Sequence, residues 1–347
     1  MHRPRFHFSC LLRATLLLSV FLISIAAVQV AISQQDSKAK LKQAQQYFNS
    51  ANYDKAIELY SILVQDRSLA REEKRIVLWN LGRSYVAKDL QKDAKEAIGE
   101  LLELEPPLTE PDPDVESPPM MKLYYEVRKD KAGSYEVERA DPGIKTIAIL
   151  DFSNRSIDDR ERLHPLEKGF SELLINQLTG VIDLKVIERE RIQWILDEIG
   201  LENDPGKFDV NSAVRVGKQL GVHSVLLGSY INADNTLWLG ARLVKVETSE
   251  ILMTEDVKGK TDKFFELTQK LGEKVAKKID VTVSKAQMEA RTETKSLEAM
   301  LAYSDGLTQL ESGNYKQAYA KFQMALKFDP GYEKAQKKID SIRAWIG

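Results

Sequence analysis

Between Ile144 and Gly259 the apolar positions change period several times. In Ile147-Ala-Ile-Leu150 successive residues are apolar, the pattern of a central strand covered on both faces. Pro165 suits the first turn of a helix, and Phe170, Leu173, Leu174, Gln177 and Leu178 follow at helical spacing before Gly180. Leu184–Glu188 predicts a second strand, and Ile192, Ile195, Leu196 and Ile199 a second helix that stops at Gly200. Asp209 is placed to cap a third helix, Asn211–Leu220, which Gly221 ends. Three strand-like runs then follow, Ser224–Ala233, Thr236–Glu247 and Ile251–Gly259. Only Asp234-Asn235 and Thr248-Ser249 are left as turns, and turns this short impose antiparallel neighbours. An amphipathic helix from Asp262 to Ser284 closes the order βαβααβββα. That order predicts an α/β sandwich on a mixed sheet, parallel in its first strands and antiparallel at the end.

Both flanks read as helical hairpins. Gly82, Tyr85, Ala94, Ile98, Leu101 and Pro106 fall at tetratricopeptide offsets, small residues standing where two helices cross. Ala44, Tyr47, Tyr53, Ala56, Tyr60 and Leu63 repeat those offsets upstream, with an insertion in the connection Gln65–Glu73. The same pattern returns in Gly306, Tyr315, Ala318, Phe322, Ala325 and Pro330, and Gly331-Tyr332 opens a capping helix. A single repeat with its cap needs another surface to pack on. Glu105–Pro119 interleaves Pro with acids and predicts an extended, solvated linker, followed by a short helix Met120–Asp130.

Composition changes this picture at the N-terminus and in the chemistry. Arg3, Arg5 and Arg13 precede the apolar run Ala14–Val28, and Ala31-Ile-Ser33 fits a small-x-small cleavage site. This is the order of a secretory signal peptide, with an uncleaved N-terminal membrane anchor as the alternative. The lone Cys10 precedes the apolar run, where no lipid-anchor cysteine stands, and the exported chain would carry no thiol. Of four histidines only His164 and His223 follow the signal, which excludes a Cys/His zinc site. Lys+Arg at 50 against Asp+Glu at 52 gives no basic stripe for nucleic acid. The expected division is a signal peptide (1–33), helical repeats (34–105), a Pro-rich linker with a short helix (106–142), the α/β domain (143–285) and a C-terminal repeat with its cap (296–347).

Four segments of the α/β region carry a resemblance. Ile147-Ala-Ile-Leu-Asp-Phe-Ser-Asn154, Val186-Ile-Glu-Arg-Glu-Arg191, Gly221-Val-His-Ser-Val-Leu-Leu-Gly-Ser229 and Leu243-Val-Lys-Val-Glu-Thr-Ser-Glu-Ile-Leu252 are similar, in order, to signature segments of the curli production assembly/transport component (CsgG) family. Ser249 departs from that family's usual Gly. The resemblance implies a CsgG-like sandwich flanked by all-α tetratricopeptide hairpins. Channel-forming members add two hairpins with strands of about 9–11 residues in the membrane. The tight turns here leave no room for them.

The function implied by the resemblance is non-enzymatic assembly or transport in the periplasm, associated with the outer membrane and without a pore. The alternative is an envelope regulator that binds and activates a cell-wall synthase or similar enzyme. Expected partners are proteins or peptides in the repeats, with a homo-oligomer and the outer membrane as further associations and no nucleic acid. No catalytic, metal or cofactor site is expected: Asp151, Asp158, Asp159 and Glu161 lack an accompanying base, nucleophile or phosphate cradle. Glu188-Arg-Glu-Arg191 reads as an ion-pair and capping cluster. The residues singled out for protein interaction are Arg155, Arg160, Glu188, Arg189, Arg191, Tyr315 and Phe322.

Overall fold

The computed structural model describes residues 35–104, 111–133, 143–201, 204–291 and 293–346. The signal-peptide segment 1–33 lies outside them, as does the start of the Pro-rich stretch. The chain divides into two units, 1–109 and 110–347. No helix among the described residues is long and apolar enough to cross a membrane.

The first unit holds α1 (35–49), α2 (Tyr53–Val64), α3 (Arg71–Ala87) and α4 (Gln91–Glu103). Ala44, Ala56 and Ala94 are buried at the helix contacts, where a larger side chain would hold the axes apart. Tyr60, Leu63, Leu78 and Leu101 fill the space between them.

The second unit opens with a turn over 112–116, in which Val115 and Glu116 donate to the Asp112 carbonyl. The described part of the Pro-rich stretch is therefore not the solvated linker expected. Pro111, Glu116 and Ser117 are buried, and Pro118 and Pro119 occupy the first helical positions of α5 (Pro118–Ala132). There their missing N–H groups cost no helical hydrogen bond.

The sheet has the order β2-β1-β3-β4-β5. Its strands are β1 (Lys145–Asn154), β2 (Leu184–Val186), β3 (Ser224–Ala233), β4 (Thr236–Lys245) and β5 (Ile251–Lys260). β1 runs parallel to β2 and β3, and the β3–β4 and β4–β5 pairs are antiparallel. Asp234 and Asn235 both take positive φ, 49° and 54°, the geometry of a two-residue hairpin whose twist matches its strands. After β1 come α6 (Arg160–Leu163) and α7 (Leu166–Leu178), and after β2 come α8 (Arg189–Glu198) and α9 (Val210–Leu220). The Asp209 side chain accepts from Ser212 N and caps α9.

Helices cover the two sheet faces unequally. α7 and α10 (Phe264–Lys278) pack on the face bearing Phe152, Leu226, Tyr230, Leu239, Leu243 and Val257. α8 and α9 pack on the other, against Leu150, Val225, Leu227 and Val244. After α11 (Lys285–Ala290) come α12 (Leu297–Glu311), α13 (Tyr315–Phe328) and α14 (Glu333–Ile342). This last group packs onto α7, where Met300 and Leu301 join the sheet core, so repeat and core share one unit. Gly169 of α7 permits the approach: a Cβ there would lie 2.8 Å from Ser304 Oγ.

Gly228 of β3 is held to glycine by Phe152, whose ring would stand 2.1 Å from an added Cβ. Gly228→Ala is expected to cost about 1–3 kcal/mol through displacement of that ring, read as a lower urea midpoint with an unchanged slope. Gln177 is fully buried with neither side-chain polar atom hydrogen-bonded. Gln177→Met should raise stability by about 1 kcal/mol, because a desolvated amide is exchanged for an apolar chain of similar length.

Candidate functional site

Two regions gather the chemistry of the second unit: a buried ionic junction under the C-terminal helices, and a bare part of the sheet. Asp151, at the end of the apolar run of β1, is the centre of the first. Arg189, at the first turn of α8, donates from Nη2 to Asp151 Oδ2 at 3.0 Å and from Nε to Oδ1 at 3.3 Å. Ser171 Oγ donates to the same Oδ1 at 2.7 Å, and Lys168 Nζ lies 3.2 Å from Oδ2. Glu311, at the end of α12, receives Arg189 through Nη1 and Lys168 at 2.6 Å. Burial works against the Asp151 charge, but Arg189, Lys168 and the hydrogen bonds outweigh it and hold the carboxyl far below its usual range. A carboxylate so held is a structural anion rather than a proton donor.

The same helix contributes Glu190, which accepts from Lys338 of α14 at 2.7 Å. Desolvation is opposed by Lys338 and Arg189, and the Glu190 carboxyl is lowered to about 2. Arg191 is buried, with its guanidinium 5.9 Å from the Tyr125 ring centroid, and Tyr125 stacks on Trp194 at 5.5 Å. Glu188 is the N-cap of α8.

The second region follows from the uneven helical cover. Beyond Leu227, Val244 and α9, no α-helix among the described residues packs on this face over the far halves of β3, β4 and β5. Register sets its rows: Leu227, Arg242 and Thr254; then Ser229, Gly240 and Asp256; then Ile231, Trp238 and Lys258. Ser153 lies beside Ser229 in β1, and Arg155 follows it. A groove of about 200 Å³ runs here, walled by Pro205 and Phe208 and floored by Ser229 and Gly240. Ile231 is 37% exposed and Trp238 half-buried, while Arg155, Arg242, Asp256, Lys258 and Lys260 are exposed. Among the described residues, Arg155, Arg242, Lys258 and Lys260 form no ion pair.

The singled-out residues thus separate. Arg155 stands on the bare face, and Arg160 is exposed at the start of α6. Arg189 and Arg191 are buried in the junction, and Glu188 is half-buried at the helix start. Tyr315 packs at 5.7 Å against Trp345 and lines a cleft of about 600 Å³ with Tyr125 and Trp194. Phe322 is fully buried against Tyr303 inside the C-terminal repeat. Arg242, Trp238 and Lys258 are the surface residues that sequence reasoning missed. A partial signal lay in Thr236–Leu243, where Leu237, Leu239, Ala241 and Leu243 form one apolar set and Arg242 stands on the opposite face. His223 bonds Thr146 Oγ1 at 2.8 Å and links β1 to the start of β3. No group of three His, Cys, Asp or Glu able to hold a metal occurs among the described residues.

No protein-family model matches the chain, and no curated protein matches it. The solved structures that match include the LpoB C-terminal domain from Escherichia coli, at 17% identity and a TM-score of 0.28, covering 36% of this chain and 88% of that one. The LpoB C-terminal domain from Salmonella enterica matches at 16% identity and a TM-score of 0.26, covering 35% and 88%. The solution structure of Escherichia coli LpoB matches at 19% and 0.27, covering 45% and 74%. The resemblance to the curli production assembly/transport component family is corrected by these findings: no family model supports it, and the solved structures named here are of LpoB. The curli assembly and transport reading falls with it. Signature-like strings around buried strands are dominated by Ile, Val, Leu and Gly, which any parallel α/β core selects.

Two outcomes check the junction. Arg189→Ala would leave Asp151 buried without its main cation and is expected to cost about 3–5 kcal/mol in urea unfolding. The lowered carboxyls of Asp151 and Glu190 contribute stability above their unfolded values that is lost as pH falls. For Glu190 that window runs from 4.5 toward about 2, and acid unfolding followed by circular dichroism should show it.

Proposed function

We propose that the chain is a non-enzymatic regulator of the cell envelope, exported to the periplasm and associated with the outer membrane. It binds a partner enzyme of the cell-wall-synthase kind through the bare face of β3, β4 and β5. The observation that carries this reading is the set of four unpaired cations, Arg155, Arg242, Lys258 and Lys260, around Ile231 and Trp238, with Asp256 the one acid in the three rows. In the buried junction, by contrast, Lys168 and Arg189 are both matched by Asp151 and Glu311. A cationic sheet face with an apolar centre suits an acidic protein surface presenting one or two apolar side chains. The missing half-layer of helices leaves room for a partner's helix or loop to complete the sandwich. Absence of an enzymatic activity belongs to this proposal: Asp151 is neutralised by its own protein, and Asp158, Asp159 and Glu161 stand in an exposed segment. The helical repeats are the second partner surface proposed, for peptides or for another copy of the chain.

The test measures glycan polymerisation by a purified peptidoglycan synthase with and without the chain, together with binding by surface plasmon resonance. Stimulation and salt-sensitive binding are expected. The triple variant R155E/R242E/K258E should weaken binding at least tenfold with an unchanged melting temperature, and Trp238→Ala should act in the same direction. Equal binding by wild type and triple variant would remove the sheet face from the reading. No effect on any synthase tested from the same envelope would remove the regulator.

A further inference from the structure

The C-terminal helices are fastened to the α/β core by two lysines buried in an excess of acid. Lys334 of α14, 5% exposed, binds Glu172 and, at 2.8 Å, Asn176 Oδ1, both on α7, and lies 3.5 Å from Asp114. Lys338, 2% exposed, donates to Glu190 at 2.7 Å and to the Pro113 carbonyl at 2.9 Å, and lies 3.7 Å from Asp114. Asp114, Glu172 and Glu190 therefore each have an ammonium partner. A fourth carboxyl, the half-buried Glu293, lies close to these groups in the segment before α12, and among the described residues it forms no ion pair or hydrogen bond. Its Oε2 is buried without a hydrogen-bond partner, as is the hydroxyl of Tyr303 on α12.

Four carboxyl groups thus gather around the two buried ammonium groups of Lys334 and Lys338, beside Tyr303 and Tyr332, both nearly inaccessible. An ionised Glu293 would be a surplus charge with one oxygen out of reach of water and of any donor. Its neutral form leaves each remaining carboxylate with a lysine contact and adds no further negative charge to the cluster. We propose that Glu293 is a pH-sensitive latch on the helical unit α12–α14: protonated, it lets α14 dock on α7 and the 112–116 turn; ionised, it loosens that contact.

Every packed element bears on the group. Burial, then Asp114 from the turn and Glu172 from α7, raise the Glu293 carboxyl, while Lys334 and Lys337 from α14 pull it down, leaving it at about 7. Tyr303 and Tyr332, pushed well above their ordinary value by burial, stay neutral throughout. Because the folded value exceeds the ordinary 4.5, the contribution is complete in acid and lost as pH rises through about 7. Between pH 6 and 8 the docking equilibrium should shift about tenfold toward the loosened form.

Hydrogen exchange on the full chain at pH 6, 7 and 8, corrected for intrinsic exchange rates, reads this directly. Amides of α14 in the wild type should lose about tenfold in protection across the range relative to those of α10. Glu293→Gln should abolish that dependence, with protection at pH 8 like that of the wild type at pH 6. Should Glu293→Gln fold poorly, Glu293→Met serves as the second variant, since it too removes the charge. A wild type with no relative loss of protection in α14, or a variant that keeps the full loss, overturns the latch.

Discussion

The guanidinium of Arg189 is the point at which the second unit is tied together. It is buried between Asp151, at the end of the central strand, and Glu311, at the end of the first helix of the C-terminal repeat. A buried charge must be matched on all sides, because an unmet hydrogen-bonding direction in a dry interior costs several kcal/mol. That requirement fixes where α12 can end relative to β1 and α8, and Lys168 repeats the constraint from α7. Helices α12–α14 are accordingly an integral layer of this unit.

The same demand accounts for the contrast between the junction and the bare sheet face. Charges at the junction are paired inside the protein, so they stabilise geometry and leave little for a ligand. On the far halves of β3, β4 and β5 the hydrophobic cover stops, side chains alternate to solvent, and Arg155, Arg242 and Lys258 keep their charge unspent. A protein that neutralises its interior ions and leaves a cationic face open has divided its charged residues between architecture and recognition. Glu293 belongs to neither group: its Oε2 is buried like the first and unmatched like the second.

Much of the fold was legible in the chain. Uninterrupted Ile-Ala-Ile-Leu marks a central strand because both its faces are buried, and the two tight turns leave no choice but antiparallel neighbours. Capping by Asp209 was readable for an equally local reason. The site was less legible. Arg189, Arg191 and Phe322, singled out as interaction residues, are buried, since neither a charge nor an aromatic ring states whether it faces a partner or its own protein. The acid-and-Pro stretch reads as a linker from composition, yet Asp114 and the Pro113 carbonyl meet lysines more than two hundred residues later in the chain.

The sequence by itself determined what depends on neighbours within a few residues: strand and helix identity, turn type, caps, and the alternation that leaves one strand face polar. It determined too that the chain after its apolar N-terminal segment contains no cysteine and two histidines. Tertiary structure alone decided which charges are consumed in pairs, that α12–α14 join the sheet core, and that part of one sheet face has no α-helix over it among the described residues. These are differences between long-range contacts, set by loop paths and by the balance of desolvation against pairing. No short window of residues contains both partners of such a contact.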